Sequence, residues 1–216
     1  MDSPFVDRKD GGKQLAQKLH AYKNQSNAIV IGLPRGGVIT GAQVAKELNL
    51  PLDIVVPRKI GAPFNSELAI GAVTQDGDVV WNEKIMQFNQ LKPSDVADTI
   101  ALEREESLRR LSLYRQGRVP LSLAGKIVIL VDDGIATGAT IRAAISYVQK
   151  EGAKKVIVAA PVAARDSINL IAPLVDELIT IISPRSFTGI SAFYDQFSQT
   201  DDDQVITLLR ESKKPT

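Results

Sequence analysis

The chain has no cysteine, a single histidine and a single tryptophan in 216 residues. Without cysteine there is no disulfide scaffold, no zinc-thiolate centre and no thiol nucleophile, and redox compartment is left open. The lone His20 sits in a polar helical stretch with no nucleophile elbow to serve, which disfavours a Ser-His-Asp relay. A charge excess is missing too: 26 Lys and Arg face 25 Asp and Glu, for a formal net charge of +1. No global field is available to hold nucleic acid or an anionic membrane, so any anion site has to be local. No run approaches the ~18 apolar residues of a membrane span, and the opening M-D-S-P-F-V-D-R-K-D has no apolar signal-peptide core. The expectation is a cytoplasmic protein. The glycine fingerprint of dinucleotide binding, G-x-G-x-x-G, and the P-loop G-x-x-x-x-G-K-[ST] are both absent.

What is present fits one globular domain: 44% hydrophobic and 24% charged residues can build a full core. Periodicity predicts a helix over 11–23, a buried strand over 28–33, a helix over 38–48 and a strand over 52–56. A loop follows over 58–65. An alternating stretch over 69–81 is folded by Asp76-Gly77, a dipeptide suited to a tight hairpin. Residues 95–116 read as one long charged helix, with Val96, Ile100, Leu108, Leu111 and Leu113 along one side and a solvated face laced by charge pairs. Strands over 126–131, 155–160 and 177–182 then alternate with helices over 139–151 and 165–174. After an irregular stretch over 183–200, an acidic start opens a last helix. The expectation is an α/β fold: a doubly wound, mostly parallel sheet of about five strands with helices on both faces, plus a small antiparallel hairpin and a C-terminal hood. The whole of 1–216 forms one domain on this reading. Its core spans about 11–60 and 120–183, a hairpin and long-helix insertion about 61–119, and the hood and last helix about 184–212.

The most informative stretch is 128–140, V-I-L-V-D-D-G-I-A-T-G-A-T. An apolar strand runs into twin carboxylates and then into a small-residue loop that opens a helix. Asp132 and Asp133 are acceptor-only groups suited to vicinal hydroxyls, while backbone amides around Ala136, Thr137, Gly138, Ala139 and Thr140 suit a dianionic phosphate. A plain strand-to-helix turn would not need two mutually repelling acids, nor a loop free of bulky side chains. The ligand that satisfies both halves is a phosphorylated sugar, bound at the C-terminal edge of a parallel sheet where strand order reverses.

This stretch resembles the fingerprint of the type I phosphoribosyltransferases, which is four apolar residues, two acidic ones, a short variable stretch and A-T-G-x-T; the match covers all thirteen positions. The resemblance implies a Mg2+-dependent enzyme that transfers ribose 5-phosphate from phosphoribosyl pyrophosphate (PRPP) to a small nitrogenous acceptor, with pyrophosphate released. It implies a magnesium ion carried mainly by PRPP, with no dedicated protein cage and with Asp132 and Asp133 touching ribose hydroxyls or the ion's waters. It gives a role to a second loop, G-L-P-R-G-G-V: Arg35 and the amides of Gly36 and Gly37 would hold pyrophosphate, often after a cis peptide bond, here at Pro34-Arg35. Arg35, Arg58, Lys59, Asp132 and Asp133 are the expected catalytic groups.

Two further segments complete the expectation. Val56-Pro57-Arg58-Lys59-Ile60-Gly61-Ala62-Pro63 has the cations and the Gly and Pro content of a mobile loop that closes over pyrophosphate. Pro63, Asn65 and Glu67 to Val73 resemble one uncharacterised branch of the family. Phe187, Phe193 and Tyr194 concentrate aromatic rings near the C-terminus, where they would either stack on a flat acceptor or pin the segment to the sheet. Position 136 is Ala, whereas relatives acting on 6-oxopurines usually carry an aspartate there; a hypoxanthine or guanine acceptor is disfavoured. The competing reading is a PRPP- or nucleotide-binding sensor that has lost catalysis, and the resemblance also implies a homodimer.

Overall fold

The computed structural model describes residues 4–212. Five strands form an all-parallel sheet in the order β2-β1-β6-β7-β8: β1 Ala28–Gly32, β2 Leu52–Ile54, β6 Ile127–Val131, β7 Lys155–Val162 and β8 Glu177–Ile182. β3 Arg58–Ala62, β4 Asn65–Val73 and β5 Val79–Trp81 form a separate antiparallel sheet in the order β3-β4-β5. Among the described residues seven α-helices flank or connect them: α1 Arg8–Lys18, α2 Gly36–Leu48, α3 Glu83–Phe88, α4 Ala97–Arg115, α5 Ala139–Lys150, α6 Arg165–Ile171 and α7 Asp202–Glu211.

Apart from Lys155 at the start of β7, the central strands carry no polar side chain, because both faces are covered. Alternate residues feed two cores. Val30, Ile129, Val131, Ile157 and Ala159 pack beneath α1, α2 and α7 with Leu15, Val44, Leu48 and Leu209. Ile29, Ile31, Val128, Leu130 and Val158 pack on the opposite side with Ile141, Ile145 and Val148 of α5 and Ile171 of α6. Each fully buried aliphatic chain contributes roughly 1.5–3 kcal/mol relative to an exposed one. From β1 the chain crosses over α2 to β2 on one side; from β6 it crosses over α5 to β7 on the other. The winding therefore reverses between β1 and β6, which are hydrogen-bonded neighbours from Ala28 opposite Ile127 to Gly32 opposite Val131.

Two expectations are corrected. The stretch 58–65 is not a loop: Arg58 to Ala62 form β3, paired with β4 from Arg58 opposite Val73, which makes the expected hairpin a three-stranded sheet. Its buried Ile60 and Ala62 pack with Ile70, Val73, Met86 and Val96, an apolar alternation too short to outweigh the neighbouring Gly and Pro in sequence. The short helix α3 was not anticipated. Along α4, Leu108 is exposed, whereas Ser107 is buried and its hydroxyl donates to the carbonyl of Val56. The Asp76-Gly77 turn is present, with Gly77 at φ +93°, a conformation that glycine adopts without strain. His20 is exposed.

Candidate active site

The two loops that leave β1 and β6 meet at the point of reversal, and their side chains interlock. At Gly36 an added methyl group would overlap Asp133 Oδ2, and at Gly37 it would lie 2.7 Å from Asp132 Oδ1 and 2.9 Å from the carbonyl oxygen of Val131. Both glycines are therefore required by close approach of the acids as much as by any ligand. They are the first two residues of α2, so the amide-bearing start of that helix lies directly against the twin carboxylates. The Pro34-Arg35 peptide bond is cis, as the family resemblance implies.

The second loop is equally constrained. The Asp133 N–H donates to Asp132 Oδ1 at 2.9 Å, and the Ile135 N–H donates to Val162 O at 2.9 Å. The Ser167 hydroxyl donates to Ala136 O, and Gly138 holds φ +75° as the residue that enters α5. Asp132, Asp133, Thr137, Gly138 and Thr140 line a cavity of about 140 Å³ that Ile190 closes from the hood. Burial first, and then the neighbouring charge of Asp133, raises the Asp132 carboxyl well above the usual carboxylate range.

The cations are arranged differently. Arg35 caps α2, and its Nη1 lies 3.7 Å from Oδ1 of Asp202, the first residue of α7. The same oxygen accepts from the Tyr114 hydroxyl at 2.7 Å, and burial together with that bond pushes the Tyr114 hydroxyl up to about 12. Arg58 Nε is 2.8 Å from Glu103 Oε2 on α4, and Lys59 Nζ is 3.3 Å from Glu67 Oε2. Strand alternation separates these two residues. Arg58 lies opposite Val73 and shares the face that packs on α4, whereas Lys59 lies opposite Ala72, which packs against Ala139 and Ala143 at the start of α5. Neither cation lines the cavity at the phosphate-type loop; Lys59 borders a separate pocket with Glu67, Thr99 and Glu103.

Comparison with known proteins places this architecture. The model of the phosphoribosyl transferase domain matches residues 6–198. The chain belongs to the phosphoribosyl transferase domain family. A Mycobacterium tuberculosis protein whose name assigns phosphoribosyl transferase activity provisionally is 41% identical over 208 residues, covering 95% of this chain and 46% of its own length. The chain thus spans about half the length of the curated relatives it matches first. A crystal structure from Thermus thermophilus superposes with a TM-score of 0.81 at 35% identity, covering 97% of this chain and 99% of that one. A uracil phosphoribosyltransferase from Bifidobacterium longum subsp. infantis is 26% identical over 161 residues, covering 74% of this chain and 66% of its own.

Of the two roles open to the hood aromatics, packing is the one that Tyr194 takes. Tyr194 is buried between Phe5, at a ring distance of 5.2 Å, and Phe197, at 5.1 Å, and its hydroxyl donates to Asp133 O at 2.5 Å. Burial pushes that hydroxyl's pKa up, which keeps it a donor. Phe187 and Phe193 stack on each other at 5.8 Å. These rings pin the hood to the sheet. Tyr194 in particular lies beneath the acids and presents no free face, so it is not available to stack on an acceptor. The hood residue that does reach the cavity is Ile190.

Sequence reasoning also missed Arg8. It is buried at 8% exposure, and its Nε lies 2.6 Å from Asp133 Oδ2. Its Nη1 donates to Ser198 O at 2.7 Å and its guanidinium sits 3.7 Å from the centre of the Phe197 ring. Losing one partner of such a buried pair costs ~3–5 kcal/mol, because the other charge is left uncompensated. The only hint in the sequence is the D-R-K-D start of a polar helix, which reads as solvated charge.

Proposed function

We propose that the protein transfers ribose 5-phosphate from PRPP to a small nitrogenous acceptor and releases pyrophosphate. The observation that carries this reading is the interlocking of the two loops: the twin acids and the A-T-G-A-T turn share one sheet edge with the Arg35-Gly36-Gly37 turn. One half suits a diol and a phosphate, and the other suits a diphosphate next to it. In the reaction, the bond from the anomeric carbon to pyrophosphate breaks, pyrophosphate leaves with the electron pair, and the acceptor nitrogen forms the new bond and gives up its proton. Positive charge grows on the ribose ring and negative charge on the leaving group. The twin acids face the first; the amides of Gly36 and Gly37, as fixed groups that need little reorganisation, and the cations Arg35 and Lys59 serve the second.

Magnesium belongs to the same proposal. Among the described residues no group of three or more Asp, Glu or His side chains is placed to hold an ion. The donors at the site are two carboxylates, one of them tied to Arg8, and this set fits an ion that arrives on the diphosphate and keeps part of its water shell. Bound there, magnesium would supply charge neutralisation to the diphosphate, and Asp132 would offer oxygens to the ribose hydroxyls or to the ion's waters. Ala136 is exposed beside this cavity and offers no acid to a base. That supports an acceptor other than a 6-oxopurine, and the uracil-directed relative puts pyrimidines first in a screen. The homodimer expected from the family belongs to the same proposal, and sedimentation equilibrium tests it. No helix among the described residues is long and apolar enough to cross a membrane.

Calorimetry with PRPP and magnesium, followed by a nucleobase screen for pyrophosphate release, tests the function. Tight binding together with release on one acceptor supports it. Binding without release on any nucleobase favours the sensor, and absence of binding removes both.

A further inference from the structure

Arg8 touches three segments that are far apart in sequence. Its Nε meets Asp133 at 2.6 Å, the same nitrogen lies 2.7 Å from where a methyl group on Gly36 would sit, and its Nη1 and ring-facing surface hold Ser198 and Phe197 of the hood. It is on neither ligand-bearing loop, and it does not line the cavity that the twin acids open into. Its effect on a ligand therefore has to pass through Asp133.

We propose that Arg8 is a positioning residue that makes the twin acids unequal. Asp133 Oδ2 is turned inward and its charge is compensated by the guanidinium, which accounts for why two abutting carboxylates tolerate each other at a largely buried edge. Asp132 is left as the acid whose oxygens face the ligand, with its Oδ1 steadied by the Asp133 N–H at 2.9 Å. The pair thereby presents one fixed set of acceptors to vicinal hydroxyls rather than two mobile ones. The inference rests on the sugar-phosphate reading above and adds to it a determinant of diol recognition that lies outside both motifs. Because the same guanidinium holds Ser198 and Phe197, correct seating of the hood is a condition for that geometry.

The test compares binding of ribose 5-phosphate and 2-deoxyribose 5-phosphate by calorimetry in the full chain, Arg8→Met and Arg8→Lys. Both probes share the phosphate, so their affinity ratio isolates recognition of the diol, which a general loosening of the fold would not change selectively. The unaltered protein is expected to prefer ribose 5-phosphate at least tenfold. Arg8→Met should bring the ratio close to one while both sugar phosphates still bind, and Arg8→Lys, which keeps the charge but cannot bridge Asp133 and Ser198 together, should fall between. An Arg8→Met ratio equal to that of the unaltered protein overturns the inference and leaves the functional reading intact. If Arg8→Met does not fold, Arg8→Lys decides: a threefold or greater loss of preference supports the inference and an unchanged ratio overturns it. Equal binding of both sugars by the unaltered protein also overturns it, and binding of neither overturns the functional reading itself.

Discussion

The loop after β6 and the cationic strand β3 are both given to the ligand by the proposed function, yet they hold their charges in opposite ways. Asp132 and Asp133 are fixed by burial: backbone and side-chain donors surround them and two glycines are pressed against them. Arg58 and Lys59 are held near the surface by Glu103 and Glu67, with side-chain exposures of 26% and 39%. Surface pairs of that kind contribute only ~0–1 kcal/mol, so exchanging a carboxylate partner for a phosphate costs little. Under the proposed function, the acids would act as a rigid template and the cations as exchangeable counterions. Arg35, paired with Asp202 at 3.7 Å, belongs with the second group even though it sits on the first loop.

The strongest way to break this contrast is Gly36→Ala. Because its methyl group would overlap Asp133 and crowd Arg8, the variant should lose ~1–3 kcal/mol of stability and at least a hundredfold in PRPP affinity. Chemical denaturation and calorimetry measure the two effects, and wild-type values for both would show that the template yields.

Asp132→Asn separates template from stability. The raised Asp132 pKa means that folding favours the protonated acid: this contribution is fully present below the unfolded carboxylate value of ~3.9 and is lost as pH rises through the folded value. At neutral pH the asparagine variant should therefore melt higher than the parent, with the gap closing on acidification, while PRPP binds at least tenfold more weakly. A lower melting temperature at neutral pH would contradict the assignment of the burial cost.

Lys59→Ala tests the exchangeable side. Turnover should fall about tenfold as pyrophosphate departure loses a cation, while stability moves by less than ~0.5 kcal/mol. Unchanged steady-state kinetics would remove Lys59 from the mechanism. The smallest effect is expected from Glu67→Gln, which frees Lys59 from its partner: stability stays within ~0.5 kcal/mol and KM for PRPP falls by a factor of about two. A raised KM would mean that Glu67 orients the lysine instead of competing for it.

The parts of the molecule that local pattern could reveal are the ones whose cause is local. β1, β6 and β7 read as apolar runs because each is covered on both faces, and the reversal point follows from their alternation with helices. The thirteen-residue stretch announced its acids because strand, carboxylates and loop are contiguous. β3 was hidden because its apolar residues, Ile60 and Ala62, acquire meaning only beside β4 and α4. Arg8 was hidden for a stronger reason: its partner lies 125 residues away, and a charge at the start of a polar helix carries no sign of such a contact. The roles of Tyr194, Phe187 and Phe193 were left as two alternatives in sequence, and packing chose between them at Tyr194 through its bond to Asp133.

Phe5 bridges to Tyr194 in parallel register, and Arg8 reaches Ser198. That closure means the pocket is complete only once residues up to Ser198 have been made. A ribosome that has delivered both fingerprint loops has still not delivered the clamp beneath them, so a nascent chain stopped near residue 185 would display every motif and lack the means to hold its acids in place.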